Sequence, residues 1–359
     1  MTARAYAAPP APTPPARAAE RQQRDAELWA VTSYFNPVGW RSRLATYRLF
    51  RAHLDVPLLT VEWSPEGRFE LGPGDADLLV QVAGGDLMWQ KERLLNLGID
   101  RLPASARYVA WVDCDVVFGD PDWASRACEA LAHTSALQLF SEIAYLDASQ
   151  TAALLRCTDA GVDADLQRYR ATSPVVASAR IAAESGADAL VEADIRGHAR
   201  PPGATFRLPR NPGMAWAARR SQLAASRLFE RAIIGSGDSF FLFAALGRAH
   251  RWLAEARRFG YGYLAASRYP DWADALHARL GGDVGFLESP ALHLYHGELG
   301  DRSYKERHGR FNALGIDIER DIVADRGEPL RFARREPAWE DFMRGYFASR
   351  REDAGSPVP

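Results

Sequence analysis

The chain has 359 residues, enough for one large α/β domain or two small ones with well-buried cores. Its 44 Lys plus Arg against 46 Asp plus Glu leave a formal net charge of −2, which excludes a dominant nucleic-acid or acidic-membrane footprint. Its 3 cysteines, Cys114, Cys128 and Cys157, are odd in number and lack metal-type spacing, which excludes a disulfide framework or a zinc ribbon.

In chain order, residues 1 to about 25 are rich in Pro, Ala and Arg and have almost nothing to bury, so a disordered arm is expected there. Leu28 to Thr32 is a short apolar run that stops at Ser33 before the Asn36-Pro37 turn signal, as a first strand would. Leu44, Tyr47, Leu49, Phe50 and Leu54 recur at helical spacing, and Val56 to Trp63 then predicts a strand. Leu78 to Val82 predicts another strand, Trp89 to Leu97 a helix, and Tyr108 to Val112 a strand that ends abruptly in Asp113-Cys114-Asp115. Asp120 is placed to cap a helix with Pro121 at its first position, running toward His133. Strands alternating with helices imply an α/β fold with a mostly parallel, twisted sheet and helices on both faces. Residues 148–205 are Ala, Asp and Arg-rich with helical periodicity, which predicts a helical insertion or lid. No linker divides residues 26–345, so a single domain is expected, followed by a flexible tail over 346–359. The longest apolar run, Phe240 to Leu246, is far short of the roughly 20 residues of a membrane span. With no apolar signal region at the start, a soluble cytoplasmic protein without a transmembrane segment or nucleic-acid partner is expected.

Asp113-Cys114-Asp115 carries the most chemical information. Alternate residues of an extended segment project to the same side, so two carboxylates spaced by one residue can converge on one cation. Oxygen ligands suit Mg²⁺ or Mn²⁺, ions that also bind substrate phosphates. At the carboxyl end of a parallel strand, this is where α/β sheets bind ligands. The plainer alternative is a polar strand end with one carboxylate capping a turn.

The segments Trp89-Gln90-Lys91-Glu92-Arg93-Leu94-Leu95-Asn96, Asp113-Cys114-Asp115, Asn211-Pro212-Gly213-Met214-Ala215-Trp216-Ala217, Gly235-Ser236-Gly237-Asp238 and His293-Leu294-Tyr295-His296-Gly297 follow one another in this order. Together they resemble nucleotide-sugar-dependent glycosyltransferases of the GT-A fold, most closely the β-1,4-galactosyltransferase type, over residues 28–310. The resemblance implies metal-dependent transfer from a UDP-sugar, with inversion, to an acceptor that the sequence does not identify. It assigns Lys91, with Arg93 beside it, to the nucleotide, Asp113 and Asp115 to the metal and diphosphate, and His296 to the third protein ligand. An imidazole ligand favours Mn²⁺ over Mg²⁺. His293 is read as structural.

Asp238 is the candidate base for the acceptor hydroxyl, because Gly235 and Gly237 let the backbone bring its carboxylate close. Here the sequence departs from the relatives, with Ser236 replacing a glycine and one acidic residue replacing a Glu-Asp pair. Arg302 and Lys305 are candidate cations for the leaving diphosphate, or a solvated basic loop. Trp216 is a candidate sugar platform in the acceptor site, or core. Thr32, Asn36 and Arg43 flank the end of the first strand, where a nucleotide base and ribose would lie.

Two other readings compete. Trp111 to Val117 also resembles the aspartyl-nucleophile strand of haloacid dehalogenase-type phosphatases, with Asp113 as nucleophile and Gly237-Asp238-Ser239 as the late motif. Against it, Phe240 to Phe243 occupy the stretch where a second Asp should follow, and over eighty residues precede Asp113. The other is a GT-A-like sugar-binding protein without turnover.

Overall fold

The computed structural model describes residues 4–6, 27–156, 168–169, 174–199, 210–304 and 306–354. In chain order its strands are β1 (Arg4–Tyr6), β2 (Leu28–Phe35), β3 (Leu58–Ser64), β4 (Leu78–Ala83), β5 (Tyr108–Val112), β6 (Val116–Phe118), β7 (Ala136–Gln138), β8 (Glu142–Tyr145), β9 (Val175–Ala177), β10 (Arg210–Asn211), β11 (Ala215–Arg219), β12 (Val284–Leu287) and β13 (Pro290–His293), with a small antiparallel pair β14 (Ile322–Val323) and β15 (Arg331–Phe332). The main sheet has eight strands in the order β1-β12-β7-β11-β5-β2-β3-β4, and β11 alone among them runs antiparallel to its neighbours. A second sheet has the order β10-β9-β8-β13-β6, and its strands β6, β8 and β13 follow the interior strands β5, β7 and β12 in the chain. This is the α/β, mostly parallel architecture expected from the sequence.

The central strands β2, β3, β5 and β11 are buried on both faces, which is why they read as nearly continuous apolar runs, whereas the edge strand β4 is largely exposed. In β5, Val109 and Trp111 enter one core, while Tyr108, Ala110 and Val112 enter the other. The helix Lys91–Arg101 covers the first face and the helices Arg41–Ala52 and Trp123–Leu131 cover the second. Gly98 sets how closely the Lys91–Arg101 helix approaches: a Cβ there would lie 2.7 Å from Val31 Cγ1 and 2.9 Å from Leu59 Cδ2. The close fit buries even the first turn of that helix, Lys91, Glu92 and Arg93. No described helix is long and apolar enough to cross a membrane.

Several boundaries differ from the expectation. The first strand extends to Phe35, because Tyr34 and Phe35 keep their pairing to β3 and are themselves buried. The third helix begins at Trp123; Asp120 and Pro121 form the preceding turn, with Asp120 Oδ1 accepting from the Asp122 amide at 2.9 Å. Within 148–205, the described helices Ala148–Arg156, Ser178–Ser185 and Ala187–His198 are present, and Ala179, Ala182, Leu190 and Val191 are buried in the main core. Of the expected N-terminal arm, residues 4–6 are described, and they pair with β12.

Candidate active site

Three chain segments are drawn to the carboxyl end of β5. The Asp113 amide donates to the Met214 carbonyl at 2.7 Å, which joins the strand end to the turn entering β11. The Leu294 amide donates to the Asp115 carbonyl at 2.8 Å, and His293 pairs with Val116, so the end of β13 lies beside Asp115. Met214 and Ser236, on two loops at this point, hold positive φ values of 74° and 72°, strained for residues with a side chain. All these segments border one cavity of about 540 Å³.

At one end of the cavity, Asp115, His293 and His296 converge. Asp115 Oδ2 lies 2.8 Å from His296 Nε2, Asp115 Oδ1 lies 3.8 Å from His293 Nε2, and the two Nε2 atoms are 3.2 Å apart. One ligand atom from each lies within 4.8 Å of the others. Asp115 Oδ1 is buried and has no hydrogen-bond partner. Burial drives the His293 imidazole down to about 3, so it is neutral. Burial opposes ionisation of Asp115, but His296 beside it and Arg302 hold its carboxyl well below the usual range. An orphaned carboxylate oxygen facing two close imidazole nitrogens fits a divalent cation, with the nitrogen ligands favouring Mn²⁺.

Around this cluster, Arg302 Nη2 lies 3.0 Å from His296 Nε2. Glu352, nearly fully buried, comes within 3.8 Å of His296 Nδ1 and is gripped by Arg43 at 2.8 and 3.1 Å and by Arg350 at 2.7 Å. Gly297 permits this closeness: with φ of 90°, its Cβ would come 2.8 Å from the Arg350 carbonyl.

At the neighbouring wall, Lys91 Nζ lies 2.6 Å from Asp113 Oδ1 and 3.0 Å from Asp238 Oδ2. Burial disfavours its charge, yet Asp113 and Asp238 raise it well above the ordinary lysine value. Asp113 is itself raised to about 6 by burial, with Lys91 opposing and Asp238 and Asp115 adding to the shift. Asp238 sits in the first turn of the helix Gly237–Ala245. The space around it exists because position 213 lacks a side chain: a Cβ there would lie 2.7 Å from Asp238 Oδ2. Glu92, the next residue along the helix from Lys91, is raised to about 8 by burial and packs on Gly237, where a Cβ would collide with Glu92 Oε1.

The cavity brings together Arg43, Lys91, Asp113, Asp115, Asp238, His296 and Arg302 from the sequence-predicted set. Asp113 pairs with Lys91, while the place beside Asp115 and His296 is taken by His293, which the sequence reading left as structural. The signal available for it was the His-x-x-His spacing at the end of an apolar strand.

Four predicted residues lie elsewhere. Thr32 is fully buried within the sheet and donates its hydroxyl to the Val112 carbonyl at 2.7 Å. Asn36 closes its own turn, bonding Trp40 through both side-chain atoms at 2.8 and 2.9 Å and reaching Glu70. Arg93 points to the opposite side of its helix, to the Glu328 carbonyl at 2.8 Å and Glu230 at 2.8 Å, tying down the 325–330 segment. Trp216 is core: it has no exposed surface, stacks on Trp111 at 6.4 Å and donates to the Pro212 carbonyl at 2.8 Å. The aromatic side chains that do border the cavity include Phe35 and Trp89, packed edge to face at 5.3 Å. Lys305 lies outside the described residues. Sequence reasoning also passed over Arg307 and Arg210, which line the cavity without belonging to a motif that marks them.

No protein-family model matches the chain, and no curated protein matches it. Among solved structures it is similar to glucosyl-3-phosphoglycerate synthase from Mycobacterium tuberculosis in complex with Mg²⁺ and uridine diphosphate, at 11% identity over 88% of this chain and 86% of that one, with a TM-score of 0.38. The same enzyme with Mn²⁺, uridine diphosphate and phosphoglyceric acid gives 10% identity over 87% and 84%, with a TM-score of 0.37. S. aureus TarS gives 11% identity over 92% of this chain and 44% of that one, with a TM-score of 0.34. The chemistry assigned to this cavity therefore rests on its own geometry.

Proposed function

We propose that the chain is a metal-dependent glycosyltransferase that moves a sugar from a nucleotide diphosphate donor, a UDP-sugar, to an acceptor hydroxyl with inversion. The observation that carries this reading is the Asp115, His293 and His296 cluster, with its orphaned carboxylate oxygen, opening on the same cavity as Asp238. Asp115, His293 and His296 would hold Mn²⁺, or Mg²⁺, which supplies positive charge against a diphosphate leaving group. Arg302 orients the His296 ring and adds a second positive charge at that end of the cavity. Asp238 accepts the proton of the acceptor hydroxyl as its oxygen bonds to the anomeric carbon and the bond from that carbon to the diphosphate oxygen breaks. Lys91 holds Asp238 in place and balances the charge of Asp113 beside it. Phe35 and Trp89 offer an apolar wall for the nucleotide base.

Thermal unfolding with UDP and Mn²⁺, added singly and together, tests this reading. A ligand that binds only the folded chain raises its stability by mass action, so the joint addition should shift the midpoint well beyond either alone. Release of UDP from a UDP-sugar should then require Mn²⁺. Hydrolysis of an aryl phosphate that disappears in Asp113→Asn, without any UDP-dependent shift, would replace the transferase reading with the phosphatase one.

A further inference from the structure

Most buried cations at this cavity have a carboxylate at hand. Lys91 lies between Asp113 and Asp238, Arg43 and Arg350 share Glu352, and Arg210 is paired with Asp194. Arg302 stands on the His296 ring, which itself touches Asp115. Arg307 has no such partner among the described residues, although it lines the cavity and is only 4% exposed. Its Nη2 donates to Ser236 Oγ at 2.7 Å, its Nη1 to the Tyr346 hydroxyl at 3.0 Å, and its Nε faces His308 Nε2 at 3.4 Å. The guanidinium also lies over the Tyr304 ring at 4.8 Å. His308 adds no compensating charge, since its burial and Arg307 beside it keep the imidazole neutral. A buried guanidinium without a counter-charge is costly, and an anion arriving from the cavity would remove that cost.

Two further features lie on the same cavity. Arg210 has a buried Nε without a hydrogen-bond partner. Tyr261 stacks on His308, the neighbour of Arg307, at 4.0 Å. The turn itself is fitted to Arg307: Gly235 has φ of 82°, and a Cβ there would come within 3.2 Å of Arg307 Nη2. The turn leads directly to Asp238. Arg302, by contrast, touches the Asp115 and His296 end, where a donor diphosphate belongs.

We propose that Arg307, fixed by Ser236, forms a subsite for an anionic group, carboxylate or phosphate, on the acceptor whose hydroxyl Asp238 deprotonates. Placing that anion on the acceptor rests on the transferase reading. The consequence is selectivity for acidic acceptors over neutral ones of the same shape.

Calorimetric titration of the full chain with Mn²⁺, with and without UDP, tests this with matched probes: glucuronate against glucose, and glycerol 3-phosphate against glycerol. The acidic member of at least one pair should bind at least about tenfold more tightly to the wild type, and the pair with the larger ratio distinguishes carboxylate from phosphate. Arg307→Gln should bring that pair within about threefold while UDP affinity stays within about twofold, and Arg307→Lys should keep a measurable acid preference. Equal binding of acidic and neutral members by the wild type overturns the subsite, whatever the variants do. A loss of UDP affinity in Arg307→Gln equal to the loss for the acidic probe moves Arg307 to the donor and overturns its assignment to the acceptor. Acid preference in a wild type that binds no UDP keeps the subsite and overturns the transferase reading instead.

Discussion

Asp113 and Asp115 leave the same strand end, one residue apart, and enter opposite electrostatic settings. Asp113 turns to Lys91, which also holds Asp238, so two carboxylates on that wall share one cation of the chain itself. Asp115 turns to His293 and His296, where one carboxylate oxygen is buried without a partner and the facing imidazole of His293 is neutral. The first arrangement already contains its cation, which pairs directly with both carboxylates. The second is complete only with a cation. Spacing in the sequence makes the two aspartates look equivalent, and their partners separate them.

The largest expected effect follows from that difference. Asp115→Asn should lower Mn²⁺-dependent release of UDP from the donor by about 10³-fold or more, whereas Asp113→Asn should cost at least about tenfold less. Steady-state rates across a Mn²⁺ series would show this, and equal losses would erase the distinction between the two walls. Next in size, Asp238→Asn should depress turnover by about 10²–10⁴-fold while UDP affinity stays within about threefold. A parallel fall in both would make Asp238 a binding residue.

A smaller effect is expected from His293→Gln, which should weaken Mn²⁺ affinity by about 10–100-fold without unfolding the chain. Unchanged affinity would return His293 to a packing role and leave Asp115 with one imidazole.

The smallest effect lies on the Lys91 wall and is one of stability. Glu92 titrates near 8 when folded, because of its burial, against an ordinary value of 4.5. Between those values the folded chain keeps a proton that the unfolded chain has lost, so stability falls as pH rises. Glu92→Gln should flatten that fall, with no gain below about pH 4 and a gain on the order of 1–3 kcal/mol above pH 8. Chemical denaturation across this range reads the difference, and parallel curves for the two proteins would count against a neutral buried Glu92.

What the sequence made legible was local. The apolar run Tyr108–Val112 ending in Asp113-Cys114-Asp115 announced a buried parallel strand and its polar end, because hydrophobic pattern and strand length are properties of neighbouring residues. Partner choice is not local. Lys91 reaches Asp238 across 147 positions, and Arg307 reaches Ser236 across 71. Trp216 illustrates the same limit: its sequence neighbours suit a sugar platform or a core, and the antiparallel insertion of β11 between β5 and β7 decides for the core. Thr32 and Asn36 were placed near the right strand end, but each uses its polar atoms within the fold, one on the Val112 carbonyl and the other on its own turn.

The central claim is that Asp115, His293 and His296 hold one divalent cation. Titrating Mn²⁺ into the chain with UDP present, and following the free-ion signal by electron paramagnetic resonance, tests it most directly. One ion bound per wild-type chain, and none at the same concentrations in Asp115→Asn, is the predicted result. Absence of saturable binding by the wild type, or binding that survives unchanged in Asp115→Asn, would contradict it.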